Sequence, residues 1–214
     1  MRQLGTARSD VARGVATDAA GNVYVSATGV YTGAAPGGPG GSGAIYRLDG
    51  VTGAITNFVT TLNAACGSVV GTSTLPNTGN GLGNIAYDPV NSQFFATNFE
   101  DGMIYRYSSG GTLLSTFDPF NPDGGSSAPA PLGERIWGIG VYNNRVYFSR
   151  WNENCSEVSF TADNEIWSVA LDATGDFTGT EQLEIVLPTL PSQSYSNPVS
   201  DISFSAAGDM LLNE

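Results

Sequence analysis

Lysine and histidine are both missing from this chain, and their absence removes whole classes of chemistry. All eight basic residues are arginines. Without histidine there is no Ser-His-Asp or Cys-His relay and no histidine-ligated zinc. Without lysine there is no Schiff base and no P-loop lysine for a nucleotide phosphate. Charge of either sign is scarce at 13%, and the balance is acidic, with 20 Asp and Glu giving a net charge of −12. Such a surface repels phosphate backbones, so nucleic acid and anionic membranes are poor partners and cations are natural ones. No apolar run approaches the 18 residues of a membrane-spanning helix. Met1–Asp10 lacks the apolar core of a signal peptide, which leaves a cytosolic protein, a removed leader or a fragment as expectations.

What remains is carboxylate, amide, hydroxyl and thiol chemistry on a chain that is 41% hydrophobic and contains 28 glycines. That composition suits many short strands joined by turns. A strand, a tight turn and a second strand recur four times. The copies are Gly14–Ser26, Asn84–Ala96, Gly138–Ser149 and Asp201–Leu212. A second hairpin follows each of the first three, opening on Ile45-Tyr46-Arg47, Ile104-Tyr105-Arg106 and Ile166-Trp167-Ser168. Its turns are Asp49–Gly53, Ser108–Gly111 and Asp172–Gly175, and its returning strands are expected at about 54–60, 112–117 and 182–187. Each unit is therefore four antiparallel strands, here lettered A to D. Units of this kind that repeat radially are propeller blades, whereas a β-sandwich would show many strands without the fixed two-hairpin order.

The expected fold is an all-β propeller forming one domain over 1–214, with blades at about 11–62, 82–118 and 135–188 and a half blade at 199–214. Three and a half blades do not close a ring, so a fragment, or a homodimer covering the open edges, is expected. The run Gly14-Val15-Ala16-x-Asp18-x-x-Gly21-Asn22-Val23-Tyr24-Val25 resembles the repeat of NHL-type propellers, relatives of the six-bladed gluconolactonase and strictosidine-synthase-like proteins.

Alternation of strand direction puts the A–B and C–D turns at one end and the B–C and D–A connections at the other. The second end receives the long insertions: Thr32–Gly43, Leu62–Gly81, Asp118–Glu134, Trp151–Asn164 and Pro188–Pro198. It also receives Cys66 and Cys155, either a disulfide or two free thiols. A disulfide, the lack of lysine and the Thr/Asn/Gly-rich loops would suit an exported protein. A small molecule or glycan is the expected ligand, with Trp137, Trp151, Arg13 and Asn98 on the ligand face and Tyr31 and Tyr195 nearby. Tyr46, Tyr105 and Trp167 are expected in the core between blades. Gly38–Gly43 fits G-x-G-x-x-G but precedes a strand with no βαβ unit, so it reads as a flexible loop.

The resemblance implies a calcium ion held at the mouths of the A strands, at Gly14, Asn84, Gly138 and Asp201. Asn84 and Asp201 match ligand types there, while Gly14 and Gly138 break the pattern. Asn98, Glu100, Asp101, Asn152, Glu153 and Asn154 could add oxygens toward the six to eight or so that calcium wants. Alternatively, Asn84 and Asp201 simply bond backbone at strand starts. Three functions follow. The first is a binding module; the second is a calcium-dependent lactone or ester hydrolase with Asp201 or Glu153 as general base; the third is a structural repeat piece of a larger exported protein. Asp172-x-Thr174-x-Asp176 with Glu181 has a calcium-turn spacing and an ordinary solvated turn as its plainer reading.

Overall fold

The computed structural model describes residues 11–28, 43–60, 81–120, 130, 134–151, 163–188 and 198–213, with side chains omitted at 11–13, 27 and 28. Fourteen strands are present among them. Blade 1 is β1 (Val11–Thr17), β2 (Val23–Thr28), β3 (Ile45–Leu48) and β4 (Ile55–Val59). Blade 2 is β5 (Leu82–Asp88), β6 (Gln93–Asn98), β7 (Met103–Ser108) and β8 (Leu113–Phe117). Blade 3 is β9 (Ile136–Tyr142), β10 (Arg145–Arg150), β11 (Glu165–Leu171) and β12 (Phe177–Val186), and a half blade follows as β13 (Asp201–Phe204) and β14 (Met210–Asn213). The sheets are simple antiparallel meanders, three of four strands and one of two. The A strands neighbour one another in order: β5 packs against β1 and β9, and β13 against β9. Sheets arrayed radially on their first strands form a β-propeller, here an open arc.

The turns explain why these hairpins form. Most tight turns open on a residue whose side-chain oxygen caps the backbone N–H groups ahead of it, the exception being Asn143-Asn144, which turns with both residues at positive φ. Asp18 Oδ1 accepts from Ala20 and Asn22 N–H, and Asp88 Oδ1 from Val90 and Asn91 N–H. Ser108 and Ser205 use their hydroxyls in the same way. One expectation is corrected here. The last strand of blade 3 starts at Phe177, not near Gln182, because a bulge around Gly179 (φ 82°) absorbs the extra residues between the Val169–Glu181 and Leu171–Phe177 pairs.

The core lies between blades, so both faces of most strands are covered. Tyr24, Phe94, Ile85 and Tyr105 fill the first joint; Phe95, Ile104, Ile139 and Phe148 the second; Ile166, Val199 and Ile202 the third. Each fully buried aromatic contributes roughly 1.5–3 kcal/mol of transfer free energy. The flanks show what a missing neighbour does. Ile85, Ile139 and Ile202 are all 3% exposed or less, whereas Val15, their counterpart on β1, is 60% exposed. At the other flank Leu211 is 59% exposed, while its counterparts Tyr24 and Phe95 are buried.

Candidate functional site

Most of the long connections expected at the loop end lie outside the described residues, and with them Glu153, Asn154, Asn152, Cys66, Cys155, Tyr31 and Tyr195, together with the side chain of Arg13. The described part of that end is built where the A strands start. There the A–B ladders of all three full blades are irregular: between Ala12 and Gly14, between Leu82 and Ile85, and between Phe148 and Arg150. The irregularity turns backbone groups out of the ladder, and hydroxyls on the B strands receive them. Thr97 Oγ1 accepts from Asn84 N–H at 3.0 Å and donates to Trp137 O of the next blade. Ser149 Oγ accepts from Gly138 N–H at 2.7 Å and donates to Val199 O at 2.8 Å. These two residues were not singled out by the sequence reading, although a hydroxyl follows the apolar B-strand residue in Val25-Ser26, Ala96-Thr97 and Phe148-Ser149.

Asn84 and Asp201 are brought together. The Asn84 amide donates to Asp201 Oδ1 at 2.8 Å and to Ser200 O at 3.0 Å, and its Oδ1 accepts from Ile85 N–H at 2.7 Å. Asn84 is buried and Asp201 exposed. Glycine is required opposite them: a Cβ on Gly14 would lie 2.1 Å from Asn84 Oδ1 and 2.7 Å from Ile85 N. Asn84 therefore turns its nitrogen, not its oxygen, toward the carboxylate. A cation between them would need the amide reversed and the Ile85 bond given up, so the pair as arranged does not fit calcium. No group of three or more Asp, Glu, Cys or His suited to a metal occurs among the described residues.

A second cluster sits on the β6–β7 turn. Asn98 Nδ2 and the Tyr105 hydroxyl donate to Asp101 Oδ2 at 3.1 and 2.6 Å, and Met103 N–H donates to Oδ1 at 2.9 Å. Glu100 beside it is fully buried. Burial is the largest influence on the Asp101 carboxyl and pushes it up to about 7, against the Tyr105 and Met103 hydrogen bonds and with help from the charges of Glu100 and Asp118.

The tryptophans expected on the ligand face are buried. Trp137 stacks on Phe99 at 4.9 Å and meets Trp151 edge-on at 6.2 Å, and both are 2% exposed. Arg135 is also buried and lies 5.8 Å over the Phe99 ring. The aromatic cluster thus floors this end of the arc. Tyr46 and Tyr105 are buried as expected, and Trp167 packs edge-on to Phe120 at 5.3 Å.

At the turn end the acids are consumed in structure. Asp172 Oδ1 accepts from Thr174 N–H, Thr174 Oγ1 and Asp176 N–H, which holds its carboxyl below the ordinary value. Asp176 accepts from Ser115 Oγ and pairs with Arg106 at 3.3 Å. Arg106 also donates to Gln93 Oε1 and Thr174 O, which ties blade 2 to blade 3. The Asp172–Asp176 segment is a closed turn.

No protein-family model matches the chain. Nor does any curated protein. Among solved structures, a streptogramin B lyase matches with a TM-score of 0.57 at 15% identity, over 100% of this chain and 51% of that one. A chain of a nidogen/laminin complex matches with a TM-score of 0.53 at 16% identity, over 92% of this chain and 54% of that one. Both likenesses are of fold, and both support a β-propeller. This chain spans about half the length of each of these two solved structures.

Proposed function

We propose that this propeller is a ligand-binding or interaction module that works at its loop end, taking a polar small molecule or glycan that is uncharged or cationic. One observation carries the reading: the acids divide between the two ends. At the turn end Asp18, Asp88 and Asp172 are spent on capping turns, and Asp176 on joining blades. At the loop end Asp201 stays exposed, while Asp101 is buried under the bonds from Asn98, Tyr105 and Met103 and is held near neutrality. An exposed carboxylate with an amide partner, at the end of the arc that also carries the aromatic cluster, suits a hydroxyl-rich ligand. The net charge of −12 disfavours an anionic one. The test is a glycan and small-molecule screen followed by NMR mapping. Shifts are expected at Asp201, Asn98 and Asp101 and not at Asp172; hits confined to the turn end would remove the proposal.

A second reading, a lactone or ester hydrolase, is favoured by the contact of Asn84 with Asp201. Asp201 is the exposed carboxylate able to take a proton from water there. Hydrolysis of a lactone and ester panel that is lost in Asp201→Ala supports it, and activity indifferent to that substitution rules it out.

A further inference from the structure

We propose that the outer edge of β14 is a docking site for one more antiparallel β-strand of the blade repeat, with an isoleucine opposite Asn213, an aromatic residue opposite Leu212 and a polar residue opposite Leu211. Among the described residues β14 pairs only with β13. In each full blade the equivalent B strand pairs on its other side with a C strand, in the same register every time. Ser26 faces Ile45, Val25 faces Tyr46 and Tyr24 faces Arg47. Thr97 faces Ile104, Ala96 faces Tyr105 and Phe95 faces Arg106. Ser149 faces Ile166, Phe148 faces Trp167 and Tyr147 faces Ser168.

The A–B ladders transfer this register to β14. Phe148 pairs with Ile139 as Leu212 pairs with Ile202, and Val146 pairs with Val141 as Met210 pairs with Phe204. Leu212 and Met210 therefore stand where blade 3 has Phe148 and Val146. Those two are fully buried in a joint that the C-strand residues Val169 and Leu171 help to fill, whereas Leu212 and Met210 are half-exposed. The apolar cover that this joint lacks is the cover that a C strand supplies in the other joints. Unpaired backbone along the same edge adds the hydrogen-bonding half of the recognition.

The probe is a fluorescein-labelled peptide with the sequence of residues 103–117, which carries the Ile-Tyr-Arg pattern and, in Arg106, a single charge opposite to the chain's −12. Fluorescence anisotropy should show saturable 1:1 binding. Leu212→Asp should weaken it about tenfold or more, while Val51→Asp, in the exposed turn of blade 1, should leave it unchanged. Because Leu212→Asp could loosen the half blade itself, a peptide carrying Ile104→Asp is titrated against the unaltered chain, with the same weakening expected. The proposal is overturned by no saturable binding at millimolar peptide, by equal binding of a scrambled or Ile104→Asp peptide, or by a β14-mediated dimer that the peptide does not displace.

Discussion

Asp101 offers the sharpest physical test of the loop end. Its carboxyl moves from an ordinary 3.8 to about 7 on burial. The folded chain then holds a proton that the unfolded chain has already released over the whole interval between those values. This group's contribution is fully present below about pH 3.8, is lost as pH rises through about 7, and is flat beyond. A shift of about three units at 1.36 kcal/mol each bounds the loss at about 4 kcal/mol. Other acids also repel one another more strongly as pH rises, so the comparison must be with Asp101→Asn, which cannot ionise. In that variant the amide oxygen keeps Tyr105 and Asn98, but the amide nitrogen faces Met103 N–H, at a pH-independent cost of about 1–3 kcal/mol. Urea denaturation from pH 4.5 to 8.5 should therefore find the variant weaker at the acid end and equal or stronger at the alkaline end. Parallel stability profiles for the two chains, or an Asp101 carboxyl carbon titrating near 4 by NMR, would refute the reasoning.

Further substitutions test the joints. Phe94→Ala removes a fully buried ring that lies 4.1 Å from Tyr24 and 4.9 Å from Tyr87, and should cost about 3–5 kcal/mol in chemical denaturation. Thr97→Val keeps the shape but strands Asn84 N–H and Trp137 O, for a loss of about 1–3 kcal/mol by the same assay. Gly14→Ala pushes a methyl group onto Asn84 Oδ1, so the Asn84 side-chain amide resonances should shift and the Asp201 contact should open. Unchanged amide resonances would show that Asn84 has room the packing denies it.

The hairpins were legible because the turns carry their own signal: an Asp or Ser opens the turn, and apolar residues alternate on either side of it. Asn84 and Asp201 could be paired before the structure because they occupy the same place in different repeats, although 117 residues separate them. The orientation of that pair was not legible, since it depends on the Ile85 N–H taking the amide oxygen while Ser200 O and Asp201 take the nitrogen. Nor was the burial of Trp137 and Trp151. In a propeller both faces of a strand are covered, so alternation does not say which aromatic meets solvent. Asp101 reads in the sequence as one more oxygen donor beside Asn98 and Glu100, with nothing to mark it as buried. Its raised proton affinity comes from burial, which the packing of the fold and not the local sequence decides.

The internal joints also bear on how the open arc meets other chains. Each joint places an aromatic of one B strand against an aromatic of the next blade: Tyr24 on Phe94, Phe95 on Phe177 and Tyr147 on Phe204. The two flanks are therefore unlike surfaces. One presents Val15, the residue that a preceding blade would cover; the other presents Leu211, the residue that would cover a following one. A two-fold axis along the centre of the arc sets the Val15 flank of one copy against the Leu211 flank of the other, and the reverse, in the same head-to-tail order as the three internal joints. A strand laid on β14 extends the half blade but leaves the Leu211 flank without the facing aromatic that the internal joints have. The physics of the repeat thus favours any cover that keeps this polarity, a two-fold pair of arcs closing on each other included, over one that sets a flank against its own copy.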